Sequence, residues 1–309
     1  MTMSDLVRAA VYGHLVGDAI GVPYEFTSPD PGRSVALRGF GSHHQPLGTW
    51  SDDGALMLGL LDSLLRAGFD PEDQGQRALA WADAKAYTPN GDGLFDIGGA
   101  TSASLARLRA GTPAISAGGT GERDQGNGSL MRILPLALVD VPSDDAVLVE
   151  RAHLASRVTH GHPNCQVACA LYVLIARTLI EHPGGDREAA LALATDRLLA
   201  VYDGQPEFAS VLRRLLAHRS AVKKLGGGWV FDSFWSAWEA FAGASSYRAT
   251  IETAVRYGHD TDTTACIAGG LAGIRWGLDE AAGIPAEWLA GLRGRDIVEA
   301  IQGMASNTA

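Results

Sequence analysis

The stretch YGHDTDTTACIAGGLAG, residues 257–273, joins an acidic, hydroxyl-rich start to a run of small residues. Asp260 and Asp262 stand two positions apart, and three threonines lie among and after them. The run 265–273 contains no residue larger than leucine, which predicts a helix packed tightly against its neighbours. Carboxylates and hydroxyls at a helix start are suitable ligands for a hard divalent cation, although Asp262 is also an ordinary candidate for a helix cap.

A second segment far upstream has the same design. Ser51, Asp52 and Asp53 precede an apolar helical pattern that ends at Gly68. Alone, this segment is more often structural, because serine caps helices and acids in the first turn complement the helix dipole. Four carboxylates brought together would repel one another and raise each other's pKa unless a cation neutralised them. We therefore predict that the fold joins both acidic segments around a cation such as Mg²⁺ or Mn²⁺.

The first helical pattern, at 4–20, is rich in glycine in its second half. Gly13, Gly17 and Gly21 fall within nine residues, and a glycine inside a helix costs about 1 kcal/mol relative to alanine. We interpret this density as a sign that another backbone approaches the helix closely.

Glu25 follows that helix between two aromatic residues, Tyr24 and Phe26. A carboxylate flanked by aromatic rings can be removed from water, which tunes its pKa for general acid or base catalysis. On the local sequence alone, a glutamate in a surface loop is an equally good interpretation.

Helical spacing of apolar residues extends over most of the chain, whereas alternating β-branched runs are scarce. No long-period repeat is visible, and no linker separates the two acidic segments. We therefore predict an all-α fold in a single domain over residues 1–309. The predicted helices are 4–20, 52–67, 71–87, 101–109, 144–160, 163–180, 186–201, 229–241, 247–257 and 262–276, with shorter ones toward residue 304.

The composition is that of an ordinary globular protein. With 35 acidic and 25 basic residues the formal net charge is −10, which argues against general electrostatic binding of nucleic acid or anionic membranes. Three cysteines, an odd number, fit a reducing compartment better than a disulfide framework. The N-terminus lacks an apolar signal region, and the longest apolar run, 167–176, is shorter than a membrane span. We expect a cytoplasmic protein that is a monomer and is not bound to membranes.

Two glycine-containing segments, 97–102 and 126–129, each precede a helical pattern. Backbone N–H groups at helix starts can bind phosphate oxygens. Neither segment has the lysine or the spacing of a nucleotide-binding Walker loop or a dinucleotide fingerprint. On their own they are weak indications of a phosphate site.

A competing metal site is suggested by His160, His162, Cys165 and Cys169, because histidine and cysteine are the usual ligands of zinc. Against it, the two histidines fall at a break between helices and Cys169 lies in an apolar run, where a free cysteine is usually part of the core. No nucleophile elbow of the Gly-x-Ser-x-Gly type occurs in the chain.

Taken in order, several segments resemble the ADP-ribosylglycohydrolase family, and the resemblance covers nearly the whole chain. They are 17–21 with Glu25, 48–53, 126–132, 159–160 and 260–263. The resemblance implies a compact all-α domain with two Mg²⁺ ions, or Mn²⁺ in some members, in a cleft. The implied metal ligands are Ser51, Asp52, Asp53, Asp260, Asp262 and Thr263, and Glu25 takes the position of the catalytic carboxylate. The implied ADP-ribose contacts are Gly98, Gly99, Thr101, Ser102, Asn127, Gly128, Ser129 and Met131, with His160 near the adenosine half.

The resemblance also implies a reaction, the hydrolysis of the glycosidic bond at C1″ of an ADP-ribosyl group on a protein or a small molecule, with ADP-ribose as product. Two alternatives stay open: a non-catalytic module that binds ADP-ribose, and a metal-dependent hydrolase of another ribosyl or nucleotide compound. The sequence does not indicate whether the acceptor is arginine, serine, a nucleobase, a metabolite or an O-acetyl ester.

The chain departs from the family pattern at three positions. Ser51 stands where threonine is common and keeps the hydroxyl. Gly54 stands where threonine is usual, which removes a hydroxyl beside the predicted metal ligands. His259 stands where asparagine or glycine is usual and places a titratable ring next to Asp260.

Overall fold

The fold is all-α, as predicted. The structure, a computed structural model, describes residues 3–89, 94–221, 225–278 and 281–305. These residues contain no β-strand and form only isolated bridges between loop segments. The α-helices in them are α1 (Met3–Gly21), α2 (Asp52–Ala67), α3 (Pro71–Ala84), α4 (Gly99–Arg109), α5 (Asp145–Arg157), α6 (Pro163–Glu181), α7 (Arg187–Val201), α8 (Pro206–Ala221), α9 (Val230–Ala242), α10 (Tyr247–Arg256), α11 (Thr261–Trp276), α12 (Ala286–Gly291) and α13 (Arg295–Ala305). Short 3₁₀ helices lie at Val22–Tyr24, Gly41–His43, Ala114–Ser116 and Leu134–Ala137.

Helices α1 and α11 pack backbone against backbone. A Cβ atom added to Gly13 would lie 2.4 Å from the carbonyl oxygen of Gly269, and one added to Gly17 would lie 2.3 Å from that of Ala265. Any side chain at these two α1 positions would therefore overlap the main chain of α11. This contact, which we call the glycine seam, confirms the predicted close approach.

The seam also aligns the C-terminus of α1 with the N-terminus of α11. A Cβ atom on Gly21 would lie 2.3 Å from the Cα atom of Asp262, and the Thr261 hydroxyl donates a hydrogen bond to the Gly21 carbonyl oxygen at 2.8 Å. Because the chain leaves α1 at this point, Glu25 enters the same region as the acids that begin α11.

Helix α6 lies in the interior, in contact with α5, α7, α8 and α9. It is 19 residues long, and an 18-residue window of it has a mean hydropathy of 1.3, so by length and composition alone it could cross a membrane. The helix is longer than the apolar run 167–176 singled out in the sequence, but 83% of its apolar window is buried inside the protein. Packing against neighbouring helices accounts for its apolar surface.

Most predicted helix ends lie within two residues of the observed ones, but two differ by three residues and one helix was missed. Helix α3 ends at Ala84 instead of residue 87, because Lys85 adopts a left-handed backbone with φ of 57°. Helix α5 ends at Arg157 instead of residue 160. No helix was predicted over α8, whose buried residues Val211, Leu212 and Leu215 pack into the core.

Candidate functional site

The two acidic segments predicted to meet do so at the ends of three helices. Asp18 of α1, Asp53 of α2 and Asp262 of α11 each place a carboxylate oxygen within 4.8 Å of the others. All three side chains are fully buried. The Thr263 hydroxyl lies 3.3 Å from both carboxylate oxygens of Asp53, which joins the start of α11 directly to the start of α2.

Asp18 was not assigned a role from the sequence, yet it fixes the start of α2. Its carboxylate accepts hydrogen bonds from the backbone N–H of Ser51 at 2.9 Å and of Gly54 at 2.8 Å. Within the same turn, the Ser51 hydroxyl accepts from the Asp53 N–H at 3.2 Å, as an N-cap does. The available signal was a carboxylate in the apolar, glycine-rich second half of α1, because an aspartate on a buried helix face usually has a partner.

The remaining predicted ligands surround this cluster. Asp260 accepts a hydrogen bond from the Asn127 side-chain amide at 2.7 Å, and Asp52 is 5% exposed. Asp262 accepts from the backbone N–H of Thr263 at 3.0 Å through Oδ1. Its other oxygen, Oδ2, is buried and has no hydrogen-bond partner among the residues that the structure describes. A buried, unpaired carboxylate oxygen is costly unless a cation or another donor occupies the space beside it.

The pKa shifts agree with a cation site. Burial, followed by repulsion from neighbouring carboxylates, raises the pKa of Asp52, Asp53 and Asp262 well above the usual value. Burial likewise raises the pKa of Asp18 to about 7. Carboxylate and hydroxyl oxygens are the ligands that Mg²⁺ and Mn²⁺ prefer, so the residues present fit a hard divalent cation.

Glu25 lies next to this cluster and is only 3% exposed. The alternative interpretation of Glu25 as a surface loop residue is therefore wrong. Burial, then the charges of Asp96, Asp260 and Asp53, raise the pKa of Glu25 to about 10. A raised pKa favours the protonated carboxyl, which is the form that a general acid needs in order to donate a proton.

Two side chains that were not predicted from the sequence lie against Glu25. The Nε2 atom of His43 contacts Oε2 of Glu25, and Asp96 Oδ1 lies 4.0 Å from the same nitrogen. These three residues and Asp262 form a second group whose potential ligand atoms lie within 4.8 Å of one another. An acid two residues before the Gly98-Gly99 pair was a usable signal for Asp96; nothing in the local sequence indicated His43.

The predicted phosphate-binding segment opens α4. Gly98 is the N-cap of this helix and no side chain caps it. A Cβ atom at Gly98 or Gly99 would have no neighbour within 4 Å, so both glycines border open space. Ser102 is exposed beside them and Thr101 is buried. Exposed N–H groups at a helix start are suited to bind phosphate oxygens.

His160 lies beside the second glycine-containing segment and close to the first. A Cβ atom on Gly128 would lie 2.7 Å from Cε1 of His160 and 3.2 Å from the Thr101 hydroxyl. The His160 Nδ1 atom is 2.8 Å from the Thr159 hydroxyl. Burial and the positive charge of Arg132 lower the pKa of His160 to about 3, so the ring is neutral. Three predicted ADP-ribose contacts thus come together.

Comparison with known proteins identifies the family. The sequence profile described as ADP-ribosylglycohydrolase matches residues 1–308. The chain belongs to the ADP-ribosylglycohydrolase family. It is 29% identical over 290 residues to the ADP-ribosylarginine hydrolase Tri1 of Pseudomonas putida (strain GB-1), covering 92% of this chain and 73% of that protein. It is 27% identical to the ADP-ribosyl-[dinitrogen reductase] glycohydrolase of Rhodospirillum rubrum, covering 94% and 91%. A solved structure titled ADP-ribosylglycohydrolase-related protein complex superposes with a TM-score of 0.76 at 29% identity, over 99% of this chain and 98% of that one.

The departure from the family pattern at Gly54 is accommodated by the packing around it. A Cβ atom at Gly54 would lie 2.8 Å from Cδ2 of Leu15 and 2.8 Å from the Trp50 indole ring. The space that a threonine side chain would need is therefore filled by Leu15 and Trp50. The missing hydroxyl is replaced by apolar packing beneath the acidic cluster.

The departure at His259 has a backbone explanation. His259 has φ of 56°, in the left-handed region where asparagine and glycine are the favoured residues. Its N–H donates to the Thr27 carbonyl oxygen at 2.8 Å, and its own carbonyl oxygen accepts from the Phe26 N–H at 2.6 Å. These bonds attach the segment after Glu25 to the segment before Asp260.

Five of the predicted ADP-ribose contacts have buried side chains, namely Thr101, Asn127, Ser129, Met131 and His160, and two of these lie in the interior. The Ser129 hydroxyl, fully buried, accepts a hydrogen bond from the Ser156 hydroxyl at 2.8 Å, and Met131 is part of the hydrophobic core. A ligand outside the core would reach these two residues through their backbone atoms.

The zinc interpretation finds no support in the geometry. The Cys165 thiol lies 3.3 Å from the Gly126 carbonyl oxygen, and His162 caps α6 through its Nδ1 atom. Over the described ranges, the groups of three or more clustered ligand atoms include neither these residues nor Cys169 and His160.

Proposed function

We propose that this protein is a metal-dependent hydrolase that removes ADP-ribose from arginine side chains of proteins. The reaction would add water across the bond between C1″ of the distal ribose and the guanidine nitrogen, releasing ADP-ribose and leaving an unmodified arginine side chain in the protein. The observation that carries the proposal is a buried Glu25 next to a cluster of oxygen ligands in which one Asp262 oxygen is unpaired among the described residues. The arginine acceptor is supported by a relative named as an ADP-ribosylarginine hydrolase.

The cation would be held by the acidic cluster. Ser51, Asp52, Asp53, Asp260, Asp262 and Thr263 are the proposed ligands, in a site for two Mg²⁺ ions that Mn²⁺ also fits. When bound, the metal would orient the ribose hydroxyls and stabilise the charge that develops in an oxocarbenium-like transition state. Asp18 and Asn127 would hold the ligands in place, through the start of α2 and through Asp260 respectively.

Glu25 would carry the proton transfers. Its carboxyl donates a proton to the departing guanidine nitrogen, and the resulting carboxylate takes a proton from the water that adds to C1″. Proton balance is thereby restored in each turnover. The open helix start at Gly98 and Gly99 would bind the pyrophosphate, and the region of Gly128 and His160 would bind the adenosine half.

The test is release of ADP-ribose from peptides that carry ADP-ribose on arginine or on serine, and from O-acetyl-ADP-ribose. We expect the fastest release from the arginine linkage, loss of release in EDTA and recovery with Mg²⁺. Glu25→Gln is expected to lower kcat by about 10²–10⁴-fold with ADP-ribose binding retained, because the amide cannot donate that proton. Glu150→Gln, an exposed glutamate of α5, is the matched control and should leave kcat unchanged.

Each arm of this assay can contradict one part of the proposal. Faster release from serine would change the acceptor, and release in EDTA would remove the metal requirement. Full turnover by Glu25→Gln would remove the role of Glu25. Binding of ADP-ribose without release from any linkage would assign the protein as a binding module.

A further inference from the structure

Residues 38–45, which we call the covering loop, are fixed against the segment that carries Glu25. The Ser42 hydroxyl donates to the Glu25 carbonyl oxygen at 2.9 Å. Gly41, with φ of 71°, lies so close to Pro23 that a Cβ atom would be 2.1 Å from the Pro23 carbonyl oxygen. The guanidinium of Arg38 donates to the same oxygen at 3.0 Å. The loop is thus attached to this segment through its backbone as well as through side chains.

The covering loop places His43 on one oxygen of Glu25. The His43 Nε2 atom contacts Oε2 of the carboxyl, and its ring lies between Phe26 and Phe95, with ring centroids 5.5 and 5.0 Å away. Asp96, the other acid near this nitrogen, is 4.0 Å from it. The rings restrict the orientation of the imidazole, so its hydrogen-bonding nitrogen stays directed at Glu25.

We propose that His43 is a positioning residue for Glu25 in the hydrolysis. The contact occupies Oε2, so we assign the proton exchange with the leaving group and with water to the other carboxyl oxygen, Oε1. Because proton transfer requires a donor within hydrogen-bond reach and in the correct direction, loss of this restraint lowers the rate of the chemical step more than substrate binding. This inference rests on the proposed function, with Glu25 as the acid and base.

The first experiment separates the hydrogen bond of His43 from its packing. His43→Phe keeps an aromatic ring between Phe26 and Phe95 but removes the hydrogen bond, whereas His43→Gln supplies an amide N–H near the Nε2 position. We expect His43→Phe to lower kcat by about 10–100-fold with KM changed by less than about threefold, and His43→Gln to recover part of the loss. His182→Gln, at the exposed histidine that follows α6, is the control and should match the wild type.

A double-mutant cycle with Glu25→Gln tests whether His43 acts through Glu25. If it does, adding His43→Phe to Glu25→Gln causes little further loss of kcat, because the group being positioned is already inactive. Multiplication of the two losses would overturn the inference. So would wild-type kcat in His43→Phe, or a loss of turnover that comes entirely from a higher KM.

Two readouts do not depend on turnover. The affinity for Mg²⁺, measured by calorimetry, should be unchanged in His43→Phe, and a tenfold loss would make His43 a metal ligand instead. The ring nitrogen resonances of His43 in a ¹⁵N spectrum should shift on Glu25→Gln, and unshifted resonances would contradict the contact.

If the wild-type protein releases no ADP-ribose, the proposed function fails and this inference fails with it; the other outcomes concern His43 alone.

Discussion

The glycine seam and the covering loop hold the two halves of the candidate site in different ways. At the seam, main chain meets main chain, and a Cβ atom on Gly17 would come within 2.3 Å of the Ala265 carbonyl oxygen. The seam therefore fixes Asp18 and Asp262 through the positions of α1 and α11 themselves. Side chains of the acidic cluster that are placed in this way depend on the fold as a whole.

Around Glu25, by contrast, the backbone is strained and the contacts are made by individual loop residues. Positive φ angles occur at the non-glycine residues Phe26, Phe40, His44, Asp96 and His259. Phe26 and Phe40 are also 70% and 67% exposed. Strained backbone is commonly concentrated at functional sites, where neighbouring contacts hold it in place. We therefore expect substitutions at the seam to reduce stability, and substitutions near Glu25 to alter rates or relieve strain.

The largest effect on stability is expected from Gly17→Ala. Its methyl group would overlap the α11 backbone, and α11 cannot withdraw without separating Asp262 from Asp18. We expect the free energy of unfolding to fall by about 3 kcal/mol, which exceeds the helix-propensity gain of about 1 kcal/mol. Urea denaturation measures the change.

The control for that variant is Gly303→Ala in α13, where a Cβ atom would have no neighbour within 4 Å. This substitution should be neutral or slightly stabilising, since only the helix-propensity gain remains. Equal stability of Gly17→Ala and Gly303→Ala would show that the seam tolerates separation.

The buried His14 of α1 should make the folded protein less stable at low pH. It is fully buried on α1, and neither ring nitrogen has a hydrogen-bond partner among the described residues. Burial lowers the pKa of His14 to about 3, while the nearby Asp53 backbone raises it by less. An unfolded histidine has a pKa near 6.5, so below that pH the unfolded state binds a proton that the folded state does not. Stability is therefore lost as pH falls from about 6.5 toward 3.

His14→Leu should remove the loss of stability that protonation of His14 in the unfolded state causes at low pH. Between pH 7 and pH 5 in EDTA, the wild type should lose about 2 kcal/mol more stability than the variant, at about 1.4 kcal/mol per pH unit below the unfolded pKa. Parallel curves of unfolding free energy against pH for the two proteins would contradict the neutral, buried state of His14. Measurement in EDTA keeps metal release out of the comparison.

The seam was predictable from the sequence and the surroundings of Glu25 were not, for a physical reason. Gly13 and Gly17 lie one helical turn apart, and repeated glycine in a helix has few explanations other than close approach of a backbone. The acids at the starts of α2 and α11 were recognisable because oxygen ligands at helix starts follow local rules. These signals are contained in single segments of the chain.

The contact of His43 with Glu25 has no local signal. It depends on how a loop without periodicity folds back, and 18 positions separate the two residues. The helix α8 was missed for a different reason, since its Val211, Leu212 and Leu215 have helical spacing that was available in the sequence. The boundary at Lys85 required knowledge of its left-handed backbone. Contacts between loop residues far apart in the sequence were therefore the part of the site that could not be predicted.

The smallest effect on stability is expected where a substitution relieves the strained backbone at His259. His259→Asn places a residue that tolerates φ of 56° at the position beside Asp260, and the backbone bonds to Phe26 and Thr27 can be kept. We expect the free energy of unfolding in EDTA to rise by about 0.5–1 kcal/mol. His182→Asn, the same substitution at an exposed residue with φ of −123°, should give no such gain. If both variants gain equally, the left-handed backbone is not the cause; if His259→Asn loses stability, the His259 ring contributes a contact that outweighs the strain it imposes.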